Sequence, residues 1–317
     1  MPATLKRERR KFMQGLELSG KYWEQCGRPV FERNFPEVMR YIAVALTGAG
    51  SDAYGFDDSI SQDHDFSPGF MVFLPGEDEI DSRTQFLLER AYATLPKEFE
   101  GFRRESVNPA GGARRGIFRT AEYFKRMSGI EYYPMDAYDF LRLPDSSLFE
   151  LTNGGVFYDN YGEFSAIRDA WSNPPTDVTL KRLAGYLMDA SQAGQYNFPR
   201  IASRGDGVAL QLCKSAYIKA ALGAFFWANG RYMPYYKWAF SALLKIPDSA
   251  EFSGLLSSLA GESGNSRASD IIKSADGELI SCLKRKGFIP EGINELQRAA
   301  FYLNGKIADP NLRNSAV

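Results

Sequence analysis

The segment from residue 41 to residue 74 constrains the fold of this chain more than any other. An apolar run at 41–46 leads through the glycines of 48–51 to Asp63 and Asp65, and then to a second apolar run at 70–74. The first run predicts a helix or strand that ends at Leu46, followed by a sharp turn at 48–51. The second predicts a strand over most of 63–74, with a bulge or kink at 67–69.

The two aspartates are the strongest chemical signal in this segment. On an extended backbone alternate side chains share one face, so Asp63 and Asp65 point one way and His64 points the other. Two adjacent carboxylates raise each other's pKa unless a cation lies between them, and Mg2+ with oxygen ligands is the usual partner. Gly50 and Ser51 supply close backbone approach and a hydroxyl for phosphate oxygens. The pattern predicts a metal-assisted phosphoryl or nucleotidyl site.

Composition excludes several other classes of protein. The chain has 317 residues, a net charge of −1 and 44% hydrophobic residues, which is ordinary for a globular protein of one or two domains. No apolar run is long enough to span a bilayer, and no apolar segment follows the basic N-terminus as in a signal peptide. With one histidine and three widely spaced cysteines, zinc and Ser-His-Asp chemistries are disfavoured. The expected location is therefore the cytoplasm, with reduced thiols and no membrane partner.

The remaining sequence predicts a change of architecture near residue 172. Before it, helices are expected at 10–30, up to about 93 and at 120–127, and strands at 129–133 and 155–159. The segment 172–175 contains two prolines and predicts a linker. Beyond it the pattern is almost entirely helical: 178–195, 208–229, 234–244, 250–259, 268–285 and 293–303.

These motifs, in this order, resemble the nucleotidyltransferase superfamily, which is marked by Gly-Ser, a glycine-containing spacer and Asp-x-Asp. The resemblance is closest to the branch that looks like kanamycin nucleotidyltransferase. Within that branch the chain is similar to a bacterial domain family of unknown function with the GFDD and DHD segments and a later YYKW segment. It implies an α+β fold, with a nucleotidyltransferase-type mixed sheet and flanking helices at 1–172. A helical bundle that binds substrate or nucleotide follows at 173–317.

By the same resemblance a third carboxylate is expected on a neighbouring strand. Glu131 is the preferred candidate, because it is a lone acid among apolar and aromatic residues, where an unpaired carboxylate needs a metal or a proton. It would ligate metal or act as the catalytic base. Asp136 and Asp139 are rivals, but Pro134 precedes them and favours ordinary helix capping. His64 is expected to be a packed residue beneath the site rather than a base.

A triphosphate also needs cations, which the resemblance places in the helical domain. Lys214 and Lys237 are the candidates, with Tyr236 beside Lys237 in the YYKW segment. The alternative for Lys237 is a stem packed on aromatic rings with its amine in water. Arg200 and Arg204 are weaker candidates, expected in a loop between two helices. The arginines around 103–115 are expected to be solvated, and the aromatic segments 225–227 and 232–238 to be bundle core rather than a surface for base stacking.

The implied activity is nucleotidyl transfer by an enzyme. A nucleoside triphosphate with Mg2+, or Mn2+ instead, would give its nucleoside monophosphate to the hydroxyl of a small-molecule acceptor and release pyrophosphate. Two alternatives stay open: a non-catalytic regulatory or antitoxin-like nucleotide-binding module, and an enzyme that acts on tRNA or another RNA. The near-neutral charge argues mildly against the nucleic-acid partner. The sequence does not determine the acceptor, the preferred base or the oligomeric state.

Overall fold

A computed structural model describes residues 13–58, 67–104 and 115–315. The strands in these ranges are β1 (Ala43–Leu46), β2 (Met71–Leu74), β3 (Glu98–Phe99), β4 (Phe102–Arg103), β5 (Gly116–Arg119) and β6 (Gly155–Asp159). The first eight helices are α1 (Gly15–Tyr22), α2 (Arg28–Asn34), α3 (Ser51–Tyr54), α4 (Ser82–Thr94), α5 (Thr120–Ser128), α6 (Ala137–Arg142), α7 (Asp145–Thr152) and α8 (Glu163–Ser172). The others are α9 (Thr176–Ala190), α10 (Phe198–Arg204), α11 (Gly207–Ala228), α12 (Tyr236–Leu243), α13 (Ala250–Gly261), α14 (Asn265–Arg285), α15 (Leu296–Gly305) and α16 (Pro310–Asn314).

The chain divides into two compact units. The first comprises residues 1–135 and 150–172, and the second comprises residues 136–149 and 173–317. Short π-helical segments, Trp23–Gly27 and Ser191–Asn197, continue α1 into α2 and α9 into α10. The α+β class expected from the sequence is confirmed, with strands confined to the first unit in the described part of the chain.

Four of the described strands form one mixed sheet in the first unit, in the order β5-β2-β1-β6. β1 is antiparallel to β2 and β6, while β2 is parallel to β5. Every residue of β1 and β2 is buried, as expected for central strands covered on both faces. Beneath them Phe70 packs edge-on against Trp23 and Tyr92, and the Tyr92 hydroxyl donates to the Phe70 carbonyl at 2.8 Å.

The second unit is helical, and its core lies around α11. From Tyr217 to Ala228 this helix is buried almost all round, because it packs against α9, α13 and α14. Phe225 stacks on Phe252 with the ring centroids 4.5 Å apart. The prediction that the aromatic segment 225–227 is core is confirmed. The same prediction for 232–238 holds for Tyr232, which is buried, and is wrong for Tyr235 and Tyr236, which are exposed.

Most of the predicted elements are present, and the differences lie in the irregular parts of the first unit. A strand was expected over most of 63–74. Of this segment the structure describes residues 67–74, and only 71–74 form a strand, which is β2. The strand expected at 129–133 is wrong, because this described segment is irregular. β5 was not predicted, because its GIFR sequence is short and lies beside the arginine-rich interval. In the described ranges no helix has the length and apolar character needed to cross a membrane.

Candidate active site at one edge of the sheet

The sheet brings four strand ends together at one edge. Ala45 of β1 pairs with Met71 at the start of β2, and Met71 pairs with Gly116 at the start of β5. On the other side Leu46, the last residue of β1, pairs with Gly155 at the start of β6. The turn after β1 and the residues that precede β2, β5 and β6 therefore share this edge, which we call the turn edge.

The predicted sharp turn at 48–51 is confirmed, and it leads directly into α3. Gly50 has φ +119° and ψ 147°, a backbone conformation that residues with a Cβ rarely adopt. The next residue, Ser51, is the first of the helix, and the Tyr54 N–H donates to the Gly50 carbonyl at 2.9 Å. The Gly-Ser pair is thus the point at which the chain changes from strand to helix.

Asn153 holds this turn in place from the segment before β6. Its Oδ1 accepts from the Gly48 N–H at 2.8 Å and from the Thr47 hydroxyl at 3.1 Å, while its amide nitrogen donates to the Gly48 carbonyl at 2.8 Å. Arg168 in turn donates to the carbonyls of Thr152 and Asn153 at 2.6 and 2.8 Å. Neither Asn153 nor Arg168 was predicted, because their roles depend on a pairing of β1 with β6 more than 100 positions apart.

A buried ion pair lies at the same edge. The Arg115 guanidinium donates to the Asp52 carboxylate at 2.5 Å, and their side chains are only 13% and 5% exposed. The expectation that the arginines around 103–115 are solvated is therefore wrong for Arg115. Its position immediately before β5 carries the side chain to the turn edge, where Asp52 of α3 neutralises it. Arg115 fixes the position of α3, and with it the position of the Gly-Ser turn.

A second acidic residue near the turn, Asp57, is also buried. One carboxylate oxygen accepts from the Gly15 N–H at 2.7 Å, and the other has no hydrogen-bond partner among the described residues. Burial raises the pKa of this carboxyl, and the nearby Asp52 and Asp58 raise it further. No role for Asp57 was predicted from the sequence.

The two predicted metal ligands on the DHD segment, Asp63 and Asp65, lie outside the described residues, as does His64. Within the described residues, no group of three or more histidine, cysteine, aspartate or glutamate side chains is arranged to hold a metal. In sequence the motif lies between α3 and β2, both of which reach the turn edge.

Glu131, the predicted third carboxylate, lies in an irregular segment rather than in a strand. Its side chain is 54% exposed and pairs with Lys125 at 3.0 Å. The Ser128 hydroxyl accepts from the Ile130 N–H and donates to the Glu131 carbonyl, so local bonds close a turn where strand pairing was expected. The strand prediction is wrong, and the role of Glu131 stays a prediction. The capping role of Asp136 is confirmed, because its carboxylate accepts from two N–H groups at the start of α6.

The predicted cations of the second unit have different environments. The Lys214 ammonium is buried and donates to the Glu262 carbonyl at the end of α13, at 2.6 Å. Lys237 is exposed, with its amine 4.9 Å from the centre of the Trp238 ring, and Tyr236 beside it is 76% exposed. The prediction that Arg200 and Arg204 lie in a loop is wrong, because both residues lie in α10. The role of Lys214, Lys237 and Tyr236 in binding phosphates stays a prediction.

Comparison with known proteins gives a family match to part of the chain and a distant structural likeness. A family model described as a domain of unknown function, DUF4037, matches residues 140–239. The comparison with curated proteins finds no match. The chain is similar to a crystal structure of a nucleotidyltransferase-like protein from Exiguobacterium sibiricum, at 12% identity and a TM-score of 0.36. The similarity covers 83% of this chain and 75% of that chain.

Proposed function

We propose that this protein is a metal-dependent nucleotidyltransferase. It would move a nucleoside monophosphate from a nucleoside triphosphate to the hydroxyl of a small acceptor molecule and release pyrophosphate. The observation that carries the proposal is the turn edge, where a Gly-Ser pair connects β1 to α3 beside the start of β2. The DHD motif lies between α3 and β2 in sequence, so the Gly-Ser turn and the carboxylates belong to consecutive segments of the chain.

The roles of the residues follow from their chemistry. Gly50 and Ser51 would bind phosphate oxygens through the backbone and the hydroxyl. Asp63 and Asp65 are hard oxygen donors one residue apart, a donor set that fits Mg2+ or Mn2+, which would neutralise charge on the leaving pyrophosphate. Asn153 and Arg115 would act indirectly, because they fix the turn and α3. Glu131 remains our candidate for the base or third ligand, and Lys237 and Lys214 remain candidates for the triphosphate.

The first test is a calorimetric titration of ATP, GTP, CTP and UTP into the protein, with Mg2+ and then with EDTA. We expect one triphosphate to bind only with the metal, and Asp63→Asn to abolish that binding. Asp78→Asn is the matched control, because Asp78 is an exposed aspartate in the turn after β2. Asp63→Asn should also lower the rate of pyrophosphate release by roughly a hundredfold or more, since metal stabilisation of the transition state is several kcal/mol, whereas Asp78→Asn should leave it unchanged.

The outcomes separate the proposal from its alternatives. Substantial transfer activity in Asp63→Asn would contradict the assignment of the site. Metal-dependent binding without pyrophosphate release, across a screen of small acceptors, would favour the regulatory module. A salt-sensitive electrophoretic shift with bulk tRNA, accompanied by nucleotide addition, would favour the RNA-directed enzyme.

A further inference from the structure

A cavity of about 740 Å³ lies wholly within the second unit. Its walls come from the segment before and at the start of α7, from α9 and α11, and from the segment 233–239. The volume lies within the range of about 300–1,000 Å³ that is usual for small-molecule sites. Of the residues predicted for the nucleotidyltransferase site, only Tyr236 lines this cavity. The turn edge belongs to the other unit.

The charged groups in the cavity wall are Lys219, Arg182 and Asp145. The Asp145 carboxylate is buried: one oxygen accepts from the Tyr186 hydroxyl and the Trp227 ring nitrogen, both at 2.8 Å, and the other lies 4.0 Å from the Arg182 guanidinium. Arg182 also donates to three backbone carbonyls at the end of α6, so its position is fixed.

Lys219 differs from these two residues. It is exposed on α11, and no described residue forms an ion pair or hydrogen bond with its ammonium group. Burial raises the pKa of the Asp145 and Asp189 carboxyls, and the Lys219 ammonium is near enough to both to oppose that rise; of these two carboxyls only Asp145 lines the cavity. With Lys219 and Arg182 against Asp145, the charged side chains of the wall sum to one positive charge, and Lys219 is the more exposed of the two cations. A polycationic ligand would meet repulsion there, and an anion would be attracted.

The other walls are apolar and aromatic. Tyr235 and Tyr236 form a ring pair with centroids 4.3 Å apart, and they are 47% and 76% exposed. The aliphatic part of the wall consists of Ile218, Leu222, Met233, Pro234 and Ala239. Exposed tyrosines over an apolar floor supply stacking area for a planar ring.

We propose that this cavity binds a small aromatic molecule that carries an anionic group. The ring packs against Tyr235 and Tyr236, and the carboxylate or phosphate of the ligand pairs with Lys219. An aromatic carboxylic acid and a nucleoside monophosphate share this chemistry. The proposal is independent of the proposed function, because it rests on residues of the second unit alone. If the proposed function and this proposal are both correct, the cavity is a candidate site for an acceptor that is aromatic and anionic. A polycationic acceptor would bind there less well.

The test compares four probes by titration calorimetry: 4-hydroxybenzoate, its cationic counterpart 4-hydroxybenzylamine, AMP and its neutral counterpart adenosine. We expect at least one anion to bind and its counterpart to bind roughly tenfold or more weakly, with an affinity that falls as salt rises. Lys219→Met should lower the binding affinity of the anionic probe by roughly tenfold. Lys273→Met is the matched control, because Lys273 is exposed on α14 and does not line the cavity.

A second variant tests the cavity without changing its charge. Ser215 is exposed and lines the cavity, so Ser215→Trp should fill it and abolish binding while the fold persists, whereas Ser258→Trp on α13 should have no effect. Preference for the benzoate or for AMP would identify the source of the ligand. Failure of both anions to bind, equal binding of an anion and its counterpart, or insensitivity to Lys219→Met and Ser215→Trp would overturn the proposal. Asp63→Asn should leave this binding unchanged, so failure at the turn edge is distinguishable from failure here.

Discussion

At the scale of single residues, buried carboxylates are the groups whose behaviour the tertiary structure changes most. Asp276 of α14 accepts hydrogen bonds from the Tyr217 hydroxyl at 2.8 Å and from the Gln195 side chain at 2.9 Å. Neither donor carries a charge, so burial dominates and raises the pKa of this carboxyl to about 6. The sequence shows only an aspartate in a helical pattern.

From the raised pKa of the Asp276 carboxyl we predict a specific dependence of stability on pH. Because the folded pKa lies above the unfolded value of about 3.9, the folded protein binds more protons between these values, and stability falls as pH rises. Relative to Asp276→Asn, the wild-type protein should lose about 2–3 kcal/mol of unfolding free energy between pH 4 and pH 7. Urea unfolding at several pH values measures this difference.

The matched control for this measurement is Asp270→Asn, because Asp270 is 71% exposed on the same helix. That variant should follow the wild-type pH profile. If Asp276→Asn also follows it, the carboxyl is not perturbed in the way that its burial indicates.

At the scale of elements, the pairing of β1 with β6 decides where the Gly-Ser turn lies. Gly154, just before β6, has φ +80°, and a Cβ there would lie 1.9 Å from the Leu46 carbonyl oxygen. The close backbone approach is thus possible only with glycine. The sequence predicted the strand at 155–159, but only the structure shows that β1 is its partner.

Gly154→Ala should separate these strands. We expect it to lower the free energy of unfolding by about 2–5 kcal/mol, from left-handed backbone strain and the clash with Leu46. Gly155→Ala is the control, because a Cβ at Gly155 would meet only side chains at 3.5 Å, and it should change stability by less than about 1 kcal/mol. Thermal and urea unfolding measure both, and equal effects would contradict the argument.

At the scale of the whole molecule, the helical unit includes a segment that is distant from it in sequence. Residues 136–149 belong to the second unit although they precede the 172–175 linker. Asp145 from this segment bonds to Tyr186 and Trp227, and Arg182 donates to the carbonyls of Phe140, Leu141 and Leu143. These buried polar groups need partners from both parts of the chain.

A fragment of residues 173–317 should therefore be less stable than one of residues 136–317. Without Asp145 and α6, several buried donors lose their partners, at about 1–3 kcal/mol each. Circular dichroism during thermal unfolding compares the two fragments. Asp145→Ala in the longer fragment should reproduce part of this loss of stability. Equal stability of the two fragments would contradict the argument that segment 136–149 stabilises the helical unit.

The sequence by itself predicted an ordered apolar element that ends at Leu46, the Gly-Ser turn after it, and six of the eight helices described beyond residue 172. Those features depend on local periodicity and on turn residues, which act over a few positions. It failed at 129–133, where an apolar and aromatic run favoured a strand but Ser128 closes a local turn. It did not reveal Asn153, Arg115 or the Lys219 cavity. Only the tertiary structure decided these, because strand pairing and helix packing join residues that are far apart in sequence, and burial then determines which of their charges need a partner.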